Sequence, residues 1–174
     1  MTVLLRRFER LVDPYPTEEP GTPPTDLFGF LWHYSKPIWH WVLLLGLFSV
    51  AIGLTEAFLY GFFGTLVDWL TERDPSTFLA EEGWTLAFVG AVVLVGFPGM
   101  VFIQTALMHQ TLAGNYPMMA RWMSHRHLLR LSMSFYADEF AGRIATKVMQ
   151  TSLAVRDMVM KLFDIFAYAT AYFV

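Results

Sequence analysis

Cysteine is absent from the 174 residues, and charged residues are scarce. The lack of cysteine excludes a disulfide framework, thiolate catalysis, and zinc or iron–sulfur sites with cysteine ligands. Asp, Glu, Lys and Arg make up 16% of the chain, whereas hydrophobic residues make up 55%. Because soluble domains usually carry about 25% charged residues, this composition indicates a membrane protein.

Motifs of enzymes are also missing. No stretch matches the phosphate-binding pattern G-x-x-x-x-G-K-[ST], so we do not expect this chain to bind ATP in the usual way. No acid–base pair, nucleophile triad or cluster of metal ligands is evident. The sequence predicts that the chain alone is not an enzyme and holds no cofactor and no metal.

The run His125, Arg126 and His127 raises the alternatives of a metal site or a nucleic-acid patch. Helical residues follow one another at about 100°, so the two histidines project about 200° apart and cannot share one ion. We expect a solvated, lipid-facing basic surface and no nucleic-acid partner.

The longest stretch without Asp, Glu, Lys or Arg covers residues 83–120. As a helix it would reach roughly 57 Å, against a hydrocarbon core of about 30 Å, so only part of it fits in lipid. Residues 85–106 are almost purely apolar. We expect one helix over residues 85–132, a span that continues into the cytoplasm.

The cytoplasmic part of this helix carries a one-sided apolar stripe. Its members recur at spacings of four, three and four: Leu112, Tyr116, Met119 and Met123. Pro117 is expected to kink or divide the helix.

The first predicted span covers residues 38–70, with tryptophans near both ends. Four of the 12 Lys and Arg residues precede Pro37 and seven follow Ala120, whereas the connector at 71–84 is acidic. Because basic loops stay inside, the N-terminus is predicted to be cytoplasmic and the connector external.

The N-terminal part divides into three. Residues 1–12 are expected to form a basic amphipathic helix that lies on the membrane surface, and the Pro-rich residues 13–25 an extended linker. Residues 26–37 are predicted to form an elbow helix along the bilayer, with Asp26 as N-cap and Pro37 at its end; the alternative is the start of the first span.

After the second helix, Ser132 and Ser134 suit helix caps, and Gly142 suits a turn. A third helix is predicted from residue 143 to 174. Its last ten residues are uncharged, about half of what a span requires, so we expect the sequence to be the N-terminal fragment of a longer protein.

Residues 134–157, SFYADEFAGRIATKVMQTSLAVRD, carry the most specific pattern. They resemble the Phe-Phe, Gly-Arg, Asp pattern of type 1 ABC exporter transmembrane domains, the bacterial multidrug and lipid-flippase class. The matching residues are Phe135 and Tyr136, Gly142 and Arg143, and Asp157. Tyr136 stands where a second Phe is usual, and the resemblance runs from about residue 26 to the end.

The resemblance implies an all-α integral membrane fold with an elbow helix, two full spans with long cytoplasmic extensions, and the start of a third. It implies an ATP-driven exporter in the bacterial inner membrane, with part of the translocation pathway in this chain. The partners would be the lipid bilayer and a nucleotide-binding domain, in a homo- or heterodimer of half-transporters. ATP and Mg would bind in the full-length transporter. The alternative is a small, non-transporting membrane scaffold.

The resemblance also implies that residues 134–141 form a coupling helix that docks in the nucleotide-binding domain; the alternative is a hairpin whose aromatic rings pack on each other. The residues expected to couple are Ser134, Phe135, Tyr136, Glu139, Phe140, Gly142 and Arg143.

Four polar residues are candidates to line a cavity, one in the first span and three on the second helix: Glu56, Gln104, His109 and Asn115. An ionisable residue such as Glu56 is costly in hydrocarbon, which favours a functional role. The alternative is pairing with other helices, since polar residues in spans often join helices.

Overall fold

The computed structural model describes residues 2–18, 21–72, 78–138 and 140–173. All regular secondary structure within these ranges is helical, which confirms the all-α prediction. The α-helices are α1 Thr2–Glu9, α2 Leu27–Ser35, α3 Trp39–Glu72, α4 Phe78–Ala91, α5 Phe97–Ala106, α6 Asn115–Leu128, α7 Met133–Asp138 and α8 Ala141–Phe173.

Two helical stretches, Leu27–Thr71 and Ala80–Leu128, are long and apolar enough to cross a membrane. Of the most apolar 18 residues in each stretch, only 17% and 6% are buried within the chain. The core helix of a soluble protein is largely covered by other elements, whereas a span presents its apolar side chains to lipid. The two stretches therefore support the prediction of a membrane protein.

Helix α2 begins as predicted, because the carboxylate of Asp26 accepts a hydrogen bond of 2.6 Å from the backbone N–H of Gly29. The helix does not end in a loop at Pro37. A 3-10 turn, Lys36–Ile38, leads directly into α3, with the proline in its first positions. A proline near the start of a helix breaks no hydrogen bond, since those N–H groups have no partner within the helix.

Helix α4 begins at Phe78, inside the stretch 71–84 that we predicted as an external loop. Glu81 lies in its first turn, where a carboxylate interacts favourably with the helix dipole. Residues 73–77 of the connector lie outside the described residues.

The second helical stretch is interrupted by two π-helical segments, Val92–Gly96 and Leu107–Leu112. Each is followed within a few residues by a proline in the first turn of the next α-helix: Pro98 in α5 and Pro117 in α6. A proline has no N–H, and its ring crowds the carbonyl four residues earlier. A π-helical turn before the proline is one way to relieve this conflict.

The division predicted at Pro117 is present, slightly earlier in the chain. Residues 113–114 form a turn between the second π-helical segment and α6. The N–H of Ala113 donates to the carbonyl of Met108, 2.9 Å away and five residues back. The regular helical ladder is therefore lost just before Pro117.

Contacts between Cα atoms divide the chain into two units, residues 1–45 with 106–163 and residues 46–105 with 164–174. In the first unit, the predicted stripe of Leu112, Tyr116, Met119 and Met123 is 0, 0, 1 and 8% exposed. The stripe therefore belongs to the core. Further buried apolar residues of this unit are Val12, Leu31, Ile38, Val42, Val155, Val159 and Met160.

A chain of hydroxyl groups connects α6 to α2 in the first unit. The Tyr116 hydroxyl lies 2.6 Å from Oγ of Ser35, which donates its own hydrogen to the Leu31 carbonyl, also 2.6 Å away. Since Ser35 has a single hydrogen, Tyr116 is the donor in the first bond. These buried polar groups are thus satisfied.

In the second unit, Gln104 donates a hydrogen bond of 2.8 Å from Nε2 to Oγ of Ser49. Hydrogen bonds of this kind hold apolar helices together in membranes. Aromatic rings contact one another in sequence toward the predicted external end, namely Phe58, Phe62, Trp69 and Phe78, at centroid distances of 6.4, 5.8 and 6.3 Å.

Candidate coupling surface

The short helix α7 stands between the ends of two long helices. Helix α6 ends in a turn in which Arg130 N–H donates to the His127 carbonyl and Leu131 N–H to that of Leu128. Helix α7 then covers Met133–Asp138, and α8 begins at Ala141. We predicted this element at residues 134–141, so it begins one residue earlier. Glu139, one of the predicted coupling residues, lies outside the described residues.

The start of α7 is formed by two serines. The backbone carbonyl of Ser132 accepts the first hydrogen bond of the helix, from Phe135 N–H at 3.1 Å. The hydroxyl groups of Ser132 and Ser134 lie 2.7 Å apart and bond to each other. The chain therefore enters α7 through a short turn fixed by its own polar groups.

Tyr136 joins α7 to the end of α6. Its hydroxyl donates a hydrogen bond of 2.6 Å to the carbonyl of Leu128, the last residue of α6. The Leu128 carbonyl also accepts from Leu131 N–H, and its second lone pair is available for the Tyr136 hydroxyl, which a phenylalanine lacks. The Phe135 ring meets the Tyr136 ring edge to face at 5.4 Å. The tyrosine that departs from the usual second Phe thus has a structural role.

Phe140 is at the start of α8 and is 76% exposed. Its carbonyl accepts hydrogen bonds from the N–H groups of Arg143 at 2.9 Å and Ile144 at 3.2 Å. A Cβ atom on Gly142 would lie 2.8 Å from Cε1 of the Phe140 ring. Gly142 therefore leaves space for the ring beside the first turn of α8.

The helix ends and α7 together present large apolar side chains to solvent. Met133 is 83% exposed, Phe140 76% and Leu129 70%. Exposed apolar side chains that lie together with polar neighbours are typical of surfaces that bind another protein. Here Ser134 and Arg143 are the exposed polar neighbours. We call Met133, Ser134, Tyr136, Phe140 and Arg143 the tip surface.

The candidate cavity residues occupy different surroundings. Glu56 is half-buried on α3, and Gln104 bonds to Ser49 as described above. His109 is exposed in the second π-helical segment. Asn115 donates a hydrogen bond of 2.8 Å from Nδ2 to the backbone carbonyl of Glu9. Lining of a transport cavity by these residues stays a prediction.

The basic run of α6 also has mixed surroundings. His125 is exposed and lies beside the Trp122 ring, whereas Arg126 and His127 are half-buried. Arg126 donates from Nη1 to the carbonyls of Pro16, Thr17 and Glu18, at 3.3, 2.9 and 2.9 Å. Across the part of the chain that the structure describes, no three His, Asp or Glu residues are placed to hold a metal ion.

Comparison with known proteins identifies a relative of this chain among the ABC transporter proteins. It is 43% identical over 167 residues to an uncharacterized ABC transporter ATP-binding protein of Haemophilus influenzae. The alignment takes in 96% of this chain and 27% of the relative, so the chain spans about a quarter of that protein's length. No family model matches the chain, and no solved structure matches it. The similarity associates the chain with ABC transporters.

Proposed function

We propose that this chain is the N-terminal part of the transmembrane domain of a type 1 ABC exporter. Three observations support the proposal: the similarity to an ABC transporter protein, the two helical stretches able to cross a membrane, and the short helix α7 between two long helices. In this proposal the apolar parts of α3, α4 and α5 line part of the translocation pathway. The bilayer is the bacterial inner membrane, with the N-terminus in the cytoplasm.

The tip surface is the single observation that carries the mechanism. It includes side chains of the six-residue helix α7, which the Tyr136 hydroxyl joins to α6, together with Phe140 and Arg143 at the start of α8, where Gly142 leaves space for the Phe140 ring. A short helix that is hydrogen-bonded to the end of a longer helix moves together with that helix. When it docks in a groove of another domain, it can transmit movement in either direction.

The partner in this proposal is a nucleotide-binding domain of the same chain or of a second subunit. ATP and Mg would bind there, and two transmembrane domains would form a homo- or heterodimer. ATP drives transport only if it binds one conformation better than the other, because a ligand shifts an equilibrium by its difference in affinity. The tip surface would link the conformation that ATP favours in the nucleotide-binding domain to the conformation of the membrane helices.

Replacement of Phe140 by Ala in the full-length protein tests the proposal. Truncation of an interface anchor costs roughly 1 to 4 kcal/mol of docking free energy. Transport and substrate-stimulated ATPase activity should fall, while the affinity for nucleotide stays near that of the wild type. Phe28 is 78% exposed on α2 and serves as the matched control, because Phe28→Ala removes a similar ring far from α7 in the sequence. Unchanged transport in the double variant Phe135→Ala, Phe140→Ala would contradict the coupling role.

The alternative of a small membrane scaffold without transport activity is not favoured. The Haemophilus influenzae relative is named an ABC transporter ATP-binding protein, and 96% of this chain aligns with it.

A further inference from the structure

Residues 2–18 lie against the second helical stretch, Ala80–Leu128, and we call them the strap. The strap contacts four side chains of this helical stretch, which we call the docking stripe: Thr111, Asn115, Trp122 and Arg126. Their spacings of four, seven and four residues place them on one side of a helix. All four donate hydrogen bonds to backbone carbonyls of the strap.

The first pair of contacts lies on both sides of the interruption in the helix. Thr111 belongs to the π-helical segment and donates from Oγ1 to the Phe8 carbonyl at 3.0 Å. Asn115 begins α6, and its Nδ2 lies 2.8 Å from the Glu9 carbonyl. Between these two residues lies the turn at 113–114. Two neighbouring carbonyls of the strap therefore hold the helix before and after its break.

The end of α1 is chemically suited to this contact. Phe8 and Glu9 are the last residues of α1, where carbonyls lack partners within the helix; the Phe8 carbonyl accepts from Leu11 N–H at 3.2 Å and, with two lone pairs, from Thr111 as well. The interrupted helix in turn supplies side-chain donors where its own ladder of backbone hydrogen bonds is incomplete. Each element satisfies polar groups of the other.

The second pair of contacts fixes the extended part of the strap. Trp122 donates from Nε1 to the Pro16 carbonyl at 3.1 Å, and the Tyr15 ring meets the Trp122 ring edge to face at 5.4 Å. Arg126 binds three consecutive carbonyls from Pro16 to Glu18. Prolines favour extended backbone, whose carbonyls have no internal partners and remain free to accept. Val12, between the two pairs of contacts, is 3% exposed.

We propose that the strap stabilises the interrupted segment of the second helix, residues 107–117, in the conformation described here, and that its release allows this segment to change conformation. A π-helical turn followed by a proline departs from the regular i→i−4 ladder of the α-helix, and such interruptions are where helices bend. The strap adds side-chain hydrogen bonds on both sides of this interruption. This inference does not depend on the proposed transport function, because its test reads local structure.

Chemical cross-linking tests whether the strap is docked. These 174 residues contain no cysteine, so pairs can be introduced into this part of the protein, in lipid nanodiscs, without replacing natural ones. The pair Tyr15→Cys, Trp122→Cys should be joined by a short bismaleimide reagent. The matched pair Tyr15→Cys, Ser124→Cys should not, since residue 124 projects about 200° away from residue 122 on the helix. Equal cross-linking of both pairs, or of neither, would overturn the proposal.

Hydrogen exchange tests whether docking stabilises the interrupted segment. Deletion of residues 2–12 and the variant Asn115→Ala should each speed exchange of the amides at 107–117, the single substitution by about fivefold, the effect of losing one hydrogen bond. Gln110→Ala is the matched control, because it truncates another amide side chain that is off the docking stripe, and exchange should stay at the wild-type rate. Exchange that is unchanged in both Asn115→Ala and the deletion would show that the strap does not restrain the helix.

Discussion

Nη1 of Arg156 donates a hydrogen bond of 3.1 Å to the backbone carbonyl of Ala113. In an unbroken α-helix this carbonyl would accept from the N–H four residues later, but residue 117 is proline and has none. Arg156 on α8 thus supplies the donor that Pro117 lacks. Arg156 and Pro117 are therefore related through the carbonyl of a third residue, Ala113.

This relationship predicts that Arg156→Ala destabilises α6 more in the wild type than in the variant Pro117→Ala. In the wild type the substitution leaves the Ala113 carbonyl without a donor and should ease local opening of α6 by about 1 to 3 kcal/mol. In Pro117→Ala the new N–H can bond to this carbonyl, so the effect should be clearly smaller. Local hydrogen exchange of α6 measures both.

Lys161→Ala is the control for that cycle, since it removes another basic side chain of α8 that is exposed. It should leave exchange in α6 unchanged. Arg156 also forms an ion pair of 2.7 Å with Asp157, but such exposed pairs contribute little. An equal effect of Arg156→Ala in both backgrounds would show that Pro117 and Arg156 are independent.

The basic residues at both ends of the chain predict its orientation in the membrane. Cysteines introduced singly at Ser76 and Ser132 should react with an impermeant maleimide from opposite sides of the bilayer, Ser76 from outside and Ser132 from the cytoplasm. Inverted and right-side-out vesicles distinguish the two. Labelling of both positions from one side would refute an arrangement of two spans.

Tyr136→Phe should weaken the connection between α7 and α6 without loss of the aromatic ring. The variant removes the hydroxyl that bonds to the Leu128 carbonyl, which should ease local opening of α7 by about 1 kcal/mol in hydrogen exchange. Tyr60 is 70% exposed on α3, and Tyr60→Phe should change stability by less than about 0.5 kcal/mol. Equal exchange of α7 in wild type and Tyr136→Phe would mean that the hydroxyl does not restrain α7.

Gly142→Ala should act through the Phe140 ring. The new Cβ would lie 2.8 Å from that ring and displace it, at a cost near the lower end of the roughly 1 to 3 kcal/mol of overpacking, because the exposed ring can turn away. If the tip surface docks as proposed, ATPase activity stimulated by substrate should fall. In a Phe140→Ala background, where the ring is absent, the added methyl group should leave this activity unchanged. A loss of the same size in both backgrounds would place the cause elsewhere.

Periodicity alone predicted the parts of the fold that rest on burial of apolar side chains. Leu112, Tyr116, Met119 and Met123 recur as a stripe, and the structure buries all four. The N-cap role of Asp26 was also predictable, because capping depends on neighbours within one turn. Sequence patterns are enough to predict a contact when a side chain binds a neighbour within one turn or packs into the apolar core.

The docking of the strap was not predictable in this way. Its acceptors are backbone carbonyls, which every residue has, so no residue type marks them in the sequence. Asn115 and Arg126 looked like a cavity residue and part of a solvated basic surface, yet both bind the strap. The π-helical segments were missed for a related reason, since proline predicts a disturbance of the ladder but not its form.

The order of synthesis determines when the strap contacts can form. In the strap, Phe8 bonds to Thr111, which lies 103 positions later; outside the strap, Ser35 bonds to Tyr116, 81 positions later. At about 5 to 20 residues per second, a ribosome needs roughly 5 to 20 s to travel the longer distance. During this interval the strap has been made while the docking stripe does not yet exist. The first residues to be made can therefore reach their native contacts only after Thr111 to Arg126 have been made.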